Sequence, residues 1–216
     1  MKLYDTIYEE AKAEYTIQKS RFIAHVSPVE TYDEAKSFIA AIKAEYKDAT
    51  HNVPVLVVGE KQEIQWSSED GEPHGTAGAP VLRMLVDSGL TNLVIVVTRY
   101  FGGIKLGTGG LMRAYTAVAR LAIDKAKLCE VREAIVLKYE ISYSNLAQIE
   151  NNSKTGGFNI GKIEYTDRIT LEIIGDIDHK DEIIDAITEA TAGKCKLLKD
   201  ESRKNKFVVD STLMLC

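Results

Sequence analysis

The chain has 216 residues, is 45% hydrophobic, and carries 27 Lys and Arg against 32 Asp and Glu, a formal net charge of −5. That balance excludes a surface that is basic throughout, and the composition is that of a folded globular chain rather than a disordered or fibrous one. No apolar run approaches the roughly 20 residues that a membrane-spanning helix needs, so no membrane association is expected. The N-terminal segment MKLYDTIYEEAKAEY has no apolar core of a signal peptide. Cys129, Cys195 and Cys216 are far apart and form no C-x-x-C pair. A disulfide frame or a zinc site is therefore not expected, and a reducing, cytoplasmic location is.

In chain order, residues 3–17 predict a strand late in the stretch. Ser20–Val29 alternates Phe22, Ala24 and Val26 with Arg21, His25 and Ser27, the pattern of a half-buried strand that Pro28 ends. Thr31 and Glu34 form a capping box for a helix to about Tyr46 that buries Ala35, Phe38, Ile39, Ile42 and Tyr46. Val53–Gly59 and Glu63–Ser67 read as two strands joined by a polar turn. Ser67–Pro80, SSEDGEPHGTAGAP, is a loop dense in Gly, Pro and acids. Glu69, Asp70 and Glu72, with His74 two residues on, place carboxylates where a cation or a proton transfer would need them. The same residues also fit plain turn chemistry at Asp70-Gly71 and Glu72-Pro73-His74-Gly75. Thr76 predicts the cap of a helix over Ala77–Ser88, and Gly89 its stop.

Asn92–Lys127 is the centre of the chain. Leu93–Val97 is an unbroken apolar run, suited to a strand buried on both faces. Thr98-Arg99-Tyr100-Phe101 follows, then Gly102, Gly103, Gly107, Gly109 and Gly110. Leu111, Tyr115, Val118, Ala119 and Ala122 then recur at helical spacing. A strand, a glycine loop and a helix in that order offer free N–H groups and the positive end of a helix dipole, which together hold anions. From Arg83 to Lys127 there are seven bases and two acids in an otherwise acidic chain. That local excess suits an anion site, or else charges on unrelated solvated faces.

Past a connector at 129–133, strands at Ala134–Ser142, Phe158–Tyr165, Ile169–Gly175 and Lys196–Lys199 alternate with helices at Asn145–Ser153 and Lys180–Thr191. The order β-α-β-β-α-β is that of a ferredoxin-like unit. It holds no glycine loop and no histidine cluster, and His179 opens a helix at the surface. A last extended run, Phe207-Val208-Val209, precedes a tail. The expected domains are 1–130 and 131–216, in the α+β class.

SSEDGEPHGTAGAPVLRML and VVTRYFGGIKLGTGGLMRAY closely resemble the IMPACT family, also called the YigZ-like family. With the C-terminal ferredoxin-like half, the resemblance spans nearly the whole chain. It implies an N-terminal domain like the second domain of ribosomal small-subunit protein five, and a C-terminal domain like the last domain of elongation factor G. It also implies a link to translation, since eukaryotic relatives restrain the starvation-response kinase pathway by competing for its ribosome-associated activator. Members of that family often carry His-x-Cys where this chain has His51-Asn52-Val53, so a thiol-dependent role is not expected at that place.

The residues themselves assign roles as follows. Arg99 at the strand end is a fork for a phosphate or carboxylate. Lys105 adds a point charge inside the loop. Gly102, Gly103, Gly107, Gly109 and Gly110 bring backbone close to an anion. Arg113 near the helix N-terminus opposes the dipole, so it serves an anion or a carboxylate. Asp70, Gly71, Glu72 and His74 form the supporting loop. In the purely structural alternative, Arg99 and Arg113 pair with Asp70 and Glu72 and lock two loops together. Tyr100 and Phe101 stack on bases, or at least one of them is core.

A Walker A loop is excluded because Thr108, not Lys, follows Gly107, and a dinucleotide site lacks its downstream acid. His25, His51, His74 and His179 make no triad or zinc spacing. No metal or cofactor is expected. The leading expectation is a translation-associated regulator engaging RNA or the ribosome through the glycine loop, with a protein partner for the C-terminal domain. The alternative is a phosphate-ester or nucleotide-handling enzyme using Asp70 or Glu72.

Overall fold

The computed structural model describes residues 2–208. Val209 and the tail through Cys216 lie outside the described residues. The chain divides into two compact units at Glu130 and Val131; among the described residues, Lys206, Phe207 and Val208 belong with the first, and Lys2 and Leu3 with the second.

The first unit is a five-stranded antiparallel sheet with helices on both faces. Its strands are β2 (Ala11–Ile17), β3 (Ser20–Pro28), β4 (His51–Val58), β5 (Ile64–Ser67) and β6 (Leu93–Tyr100), and their spatial order is β2-β3-β6-β4-β5. The apolar run of β6 is explained by its central place. Leu93, Ile95 and Val97 face a core shared with α2 (Gly78–Asp87) and α3 (Gly107–Lys125), while Val94 faces a smaller core under α1 (Tyr32–Glu45). β4 divides in the same way, with Val53, Val55 and Val57 on one side and Leu56 and Val58 on the other.

Three sequence expectations are corrected here. The early stretch holds two strands, β1 (Lys2–Ile7) and β2, where one was expected. β3 is not half-buried, since Ile23 and His25 are buried as well as Phe22, Ala24 and Val26. The His25 ring packs against Tyr46 at the end of α1, with centroids 4.9 Å apart. Thr76 does not cap α2, because its hydroxyl donates to the Pro73 carbonyl at 2.7 Å. The cap is the Glu69 carboxylate, which accepts from the N–H groups of Gly75, Ala77, Gly78 and Ala79 at 2.8–3.2 Å. A carboxylate there satisfies donors that the helix cannot pair itself and complements its dipole.

Other local signals hold. Thr31 Oγ1 accepts from the Glu34 N–H at 3.2 Å, and Glu34 reaches back to the Glu30 N–H at 2.7 Å. Ala35 and Ile42 of α1 are buried, with Phe38 and Ile39 partly so. At the end of α2 the Leu90 N–H bonds Leu85 O and the Gly89 N–H bonds Val86 O, a Schellman stop.

The second unit contains, in sequence, β7 (Leu128–Ile141), α4 (Tyr143–Ser153), β8 (Phe158–Tyr165), β9 (Ile169–Asp176), α5 (Lys180–Ala190) and β10 (Lys196–Val208). β9 lies between β7 and β8, paired antiparallel to each, and β10 and β1 also pair with β7. Alternation sets the two faces of this sheet. Ile135, Leu137, Tyr139 and Ile141 of β7 and Ile169, Leu171 and Ile173 of β9 join Ile149 of α4 and Ile183 and Ile187 of α5 in one core. The alternate residues carry ion pairs, including Lys138–Glu164, Arg168–Glu140 and Arg203–Glu172. β10 is far longer than the Lys196–Lys199 run expected. His179 is exposed at the start of α5. Among the described residues no helix is long and apolar enough to cross a membrane.

Candidate functional site

The site grows from one row of the sheet. His51 of β4 stands opposite Arg99 of β6, and Arg99 stands opposite Phe22 of β3. Residues directly opposite share a face, so a histidine, a guanidinium and a phenyl ring lie side by side at the C-terminal end of β6. Tyr115 of α3 packs edge-on against Phe22, with ring centroids 5.1 Å apart.

The loop between β5 and α2 delivers Glu72 into this row, and the residue is only 7% exposed. A buried carboxylate costs several kcal/mol unless it is paired and hydrogen-bonded. Glu72 Oε1 meets both needs, accepting from Arg99 Nη1 at 2.6 Å and from the Tyr115 hydroxyl at 2.7 Å. Burial first, and then the Glu72 charge, hold the Tyr115 hydroxyl protonated far above the usual tyrosine range. The Arg99 guanidinium lies 5.3 Å from the Phe22 centroid and 5.4 Å from that of Phe101. Its Nε is buried with no partner.

His51 Nδ1 lies 2.7 Å from the Asp70 carbonyl oxygen. A carbonyl only accepts, so Nδ1 carries the proton. Nε2, 3.8 Å from Glu72 Oε1, is left as the nitrogen free to accept or give a proton. Asp70 itself is consumed by structure. Its side chain takes Lys43 Nζ at 2.6 Å and the Asn52 N–H at 2.7 Å. A cleft of about 420 Å³ opens beside this cluster, lined by His51, Glu72, Pro73, Arg99, Phe101, Lys105 and the first residues of α3.

The expected anion residues divide into those at the mouth of α3 and those spent elsewhere. Lys105 is exposed in the cleft lining. Gly107 opens α3 with φ +72, and Leu106 at its cap position supplies no acceptor. Gly109 and Gly110 are not loop, as expected, but the first turn of α3. Arg113 is exposed and folds back over that turn, its Nη1 3.6 Å from where a Cβ on Gly109 would stand. Gly102 must be glycine, since a Cβ there would lie 2.0 Å from the Lys19 carbonyl carbon. Gly103 is an exposed turn residue beside it.

Arg99 is no free fork, because Glu72 holds it. Of the expected structural pairs only Arg99–Glu72 forms; Asp70 pairs with Lys43 instead. Neither aromatic is core. Phe101 is 46% exposed, and the half-exposed Tyr100 donates its hydroxyl to Asp48 at 3.0 Å. Gly71 lies against the His51 ring, and His74 is exposed. Among the described residues, no three His, Cys, Asp or Glu side chains are placed to hold a metal.

Of the seven bases counted from Arg83 to Lys127, Arg83 pairs with Asp87 and Lys127 with Glu9. Lys125 reaches the Lys12 carbonyl. Sequence reasoning passed over His51 and read Tyr115 only as core. The signal for His51 was its place in the His-x-Cys position.

The Impact N-terminal domain family matches residues 18–123, and a domain of unknown function (DUF1949) matches residues 140–194. The IMPACT family member YvyE of Bacillus subtilis (strain 168) is 38% identical over 198 residues, covering 92% of this chain and 91% of that one. The member YigZ of Escherichia coli (strain K12) is 39% identical over 138 residues, covering 62% and 67%. A crystal structure described only as that of a hypothetical protein superposes with a TM-score of 0.58 at 29% identity, covering 93% of this chain and 98% of that one. The chain belongs to the IMPACT family.

Proposed function

We propose that this protein is a translation-associated regulator of the cytoplasm that grips phosphate groups of RNA, on or off the ribosome, at the mouth of α3. The observation that carries this reading is an uncapped helix N-terminus with Lys105 and Arg113 beside it, at the edge of an open cleft. Free N–H groups, a helix dipole and two exposed cations form an anion grip. Family membership supports the link to translation and a regulatory part, which we extend to a stress response. The likeness of the first unit to the second domain of ribosomal small-subunit protein five belongs to the same proposal. So does a ferredoxin-like second unit resembling the last domain of elongation factor G, which would dock a protein partner.

A second reading has one observation in its favour. His51 Nε2, 3.8 Å from Glu72 Oε1 beside the cleft, is placed for proton transfer in a phosphate-handling enzyme. It replaces Asp70, whose carboxylate is already committed.

The test is co-sedimentation with ribosomes at low and high salt, comparing the protein with a Lys105→Ala/Arg113→Ala variant. Both side chains are exposed, so the fold survives their removal. Association that weakens steeply with salt and is lost in the variant supports the reading, since phosphate contacts release counterions. Absence of association at either salt rejects it.

A further inference from the structure

We infer that the cleft takes a terminal phosphate monoester carrying a planar base, and not the internal phosphodiesters of a strand. This rests on the reading of the same cleft as an anion site and goes further in naming the group it selects. Size is the first argument. About 420 Å³ lies within the range of small-ligand sites and holds one nucleotide-sized group rather than a continuous strand.

Charge is the second. Glu72 in the cleft lining would repel an anion, but Arg99 and Tyr115 already hold its Oε1. What remains is donor-rich. Lys105 is exposed there, the N–H groups of Gly107 and Thr108 have no capping side chain, and Arg99 brings a buried Nε without a partner. A monoester carries about −1.5 to −2 charges and three acceptor oxygens at neutral pH. An internal diester has one charge and two free oxygens to offer the same donors.

The third argument is Phe101, which is 46% exposed with Arg99 over its ring, leaving aromatic surface for a base to stack on.

A free mononucleotide and the 5′ end of an RNA share this chemistry, and the experiment separates them. Titration calorimetry on the full chain uses three probes: adenosine 5′-monophosphate, an RNA hexamer with a 5′-phosphate, and the same hexamer with a 5′-hydroxyl. The expected result is a preference for the phosphorylated hexamer of about tenfold or more, lost in Lys105→Ala, with Phe101→Ala weakening both phosphorylated probes by about tenfold. Both side chains are exposed, and circular dichroism verifies the fold. Binding of the mononucleotide alone upholds the inference while rejecting the RNA reading of the proposed function. Equal binding of the two hexamers overturns the inference and leaves that reading standing. Failure of all three probes overturns both.

Discussion

Helices α2 and α3 are both entered from loops rich in glycine, and their N-termini are used in opposite ways. The end of α2 is filled from within, since the Glu69 carboxylate accepts from four backbone N–H groups. The end of α3 receives no side chain, because Leu106 stands at the cap position and no acid occupies the first turn. The two ends share the physics of an anion site, and in α2 the anion is part of the protein. The acid-rich loop is therefore mainly a fastening device. Glu69 caps α2, Asp70 ties α1 to β4 through Lys43 and the Asn52 N–H, and Glu72 anchors Arg99. Of these two helix ends, that of α3 is the one whose backbone donors stay open to an outside ligand.

The strongest way to break this comparison is to remove the fastening. Arg99→Ala leaves Glu72 buried without its cation, and the expected loss is about 3–5 kcal/mol of stability, read from urea unfolding. A loss below about 1 kcal/mol would mean that Glu72 does not depend on its partner. Next in size, Glu69→Ala uncaps α2 at a cost of about 2 kcal/mol and should create a second sulfate-binding end, detected as an added site in calorimetry. A destabilised variant with no new anion binding would show that an open helix end is not sufficient.

The smallest effect runs the other way. Thr108→Glu places a carboxylate in the first turn of α3. It should raise stability by about 0.5 kcal/mol and abolish anion binding at the mouth. Retained binding would move the site away from that helix end.

These comparisons belong above neutral pH, because the sheet has an acid sensitivity of its own. Burial first, and then Lys12, hold the His25 imidazole below its ordinary value of 6.5. The unfolded chain binds that proton more readily than the folded one. The stability is thus complete above about 6.5 and is lost as the pH falls from there through the folded-state value. In His25→Leu that part of the acid limb should disappear from unfolding curves measured between neutral pH and pH 5. An unchanged limb would assign it to other groups.

Much of the first unit was legible because its signals are local. The run Leu93–Val97 and the spacing of Leu111, Tyr115, Val118, Ala119 and Ala122 each report one element's own burial. The double burial of β3 was not legible, because it depends on α1 covering the second face of the sheet. Gly109 and Gly110 read as loop because glycine disfavours helices. The buried face from Leu111 onward instead carries α3 back through them. The capping role of Glu69 was not legible, because its partners lie six to ten positions away in a fold-back that composition does not reveal. In the second unit the alternation of β7, β8 and β9 and their tight turns were readable, whereas the length of β10 was not. Its residues are largely exposed, and strand pairing rather than burial sets its extent.

By itself the sequence determined the order of elements from β3 onward, the central strand with its following helix, and the family that the two long motifs announce. These rest on periodicity, caps and turn residues, which act within a few positions of one another. Only the tertiary structure decided which charges are spent and which are available. It paired Arg99 with Glu72 across 27 positions and set His51 beside both by strand register. It left Lys105 and the start of α3 facing an open cleft. Ion pairing inside a protein is settled by desolvation and by distances of a few ångströms, and neither is a property of neighbours along the chain.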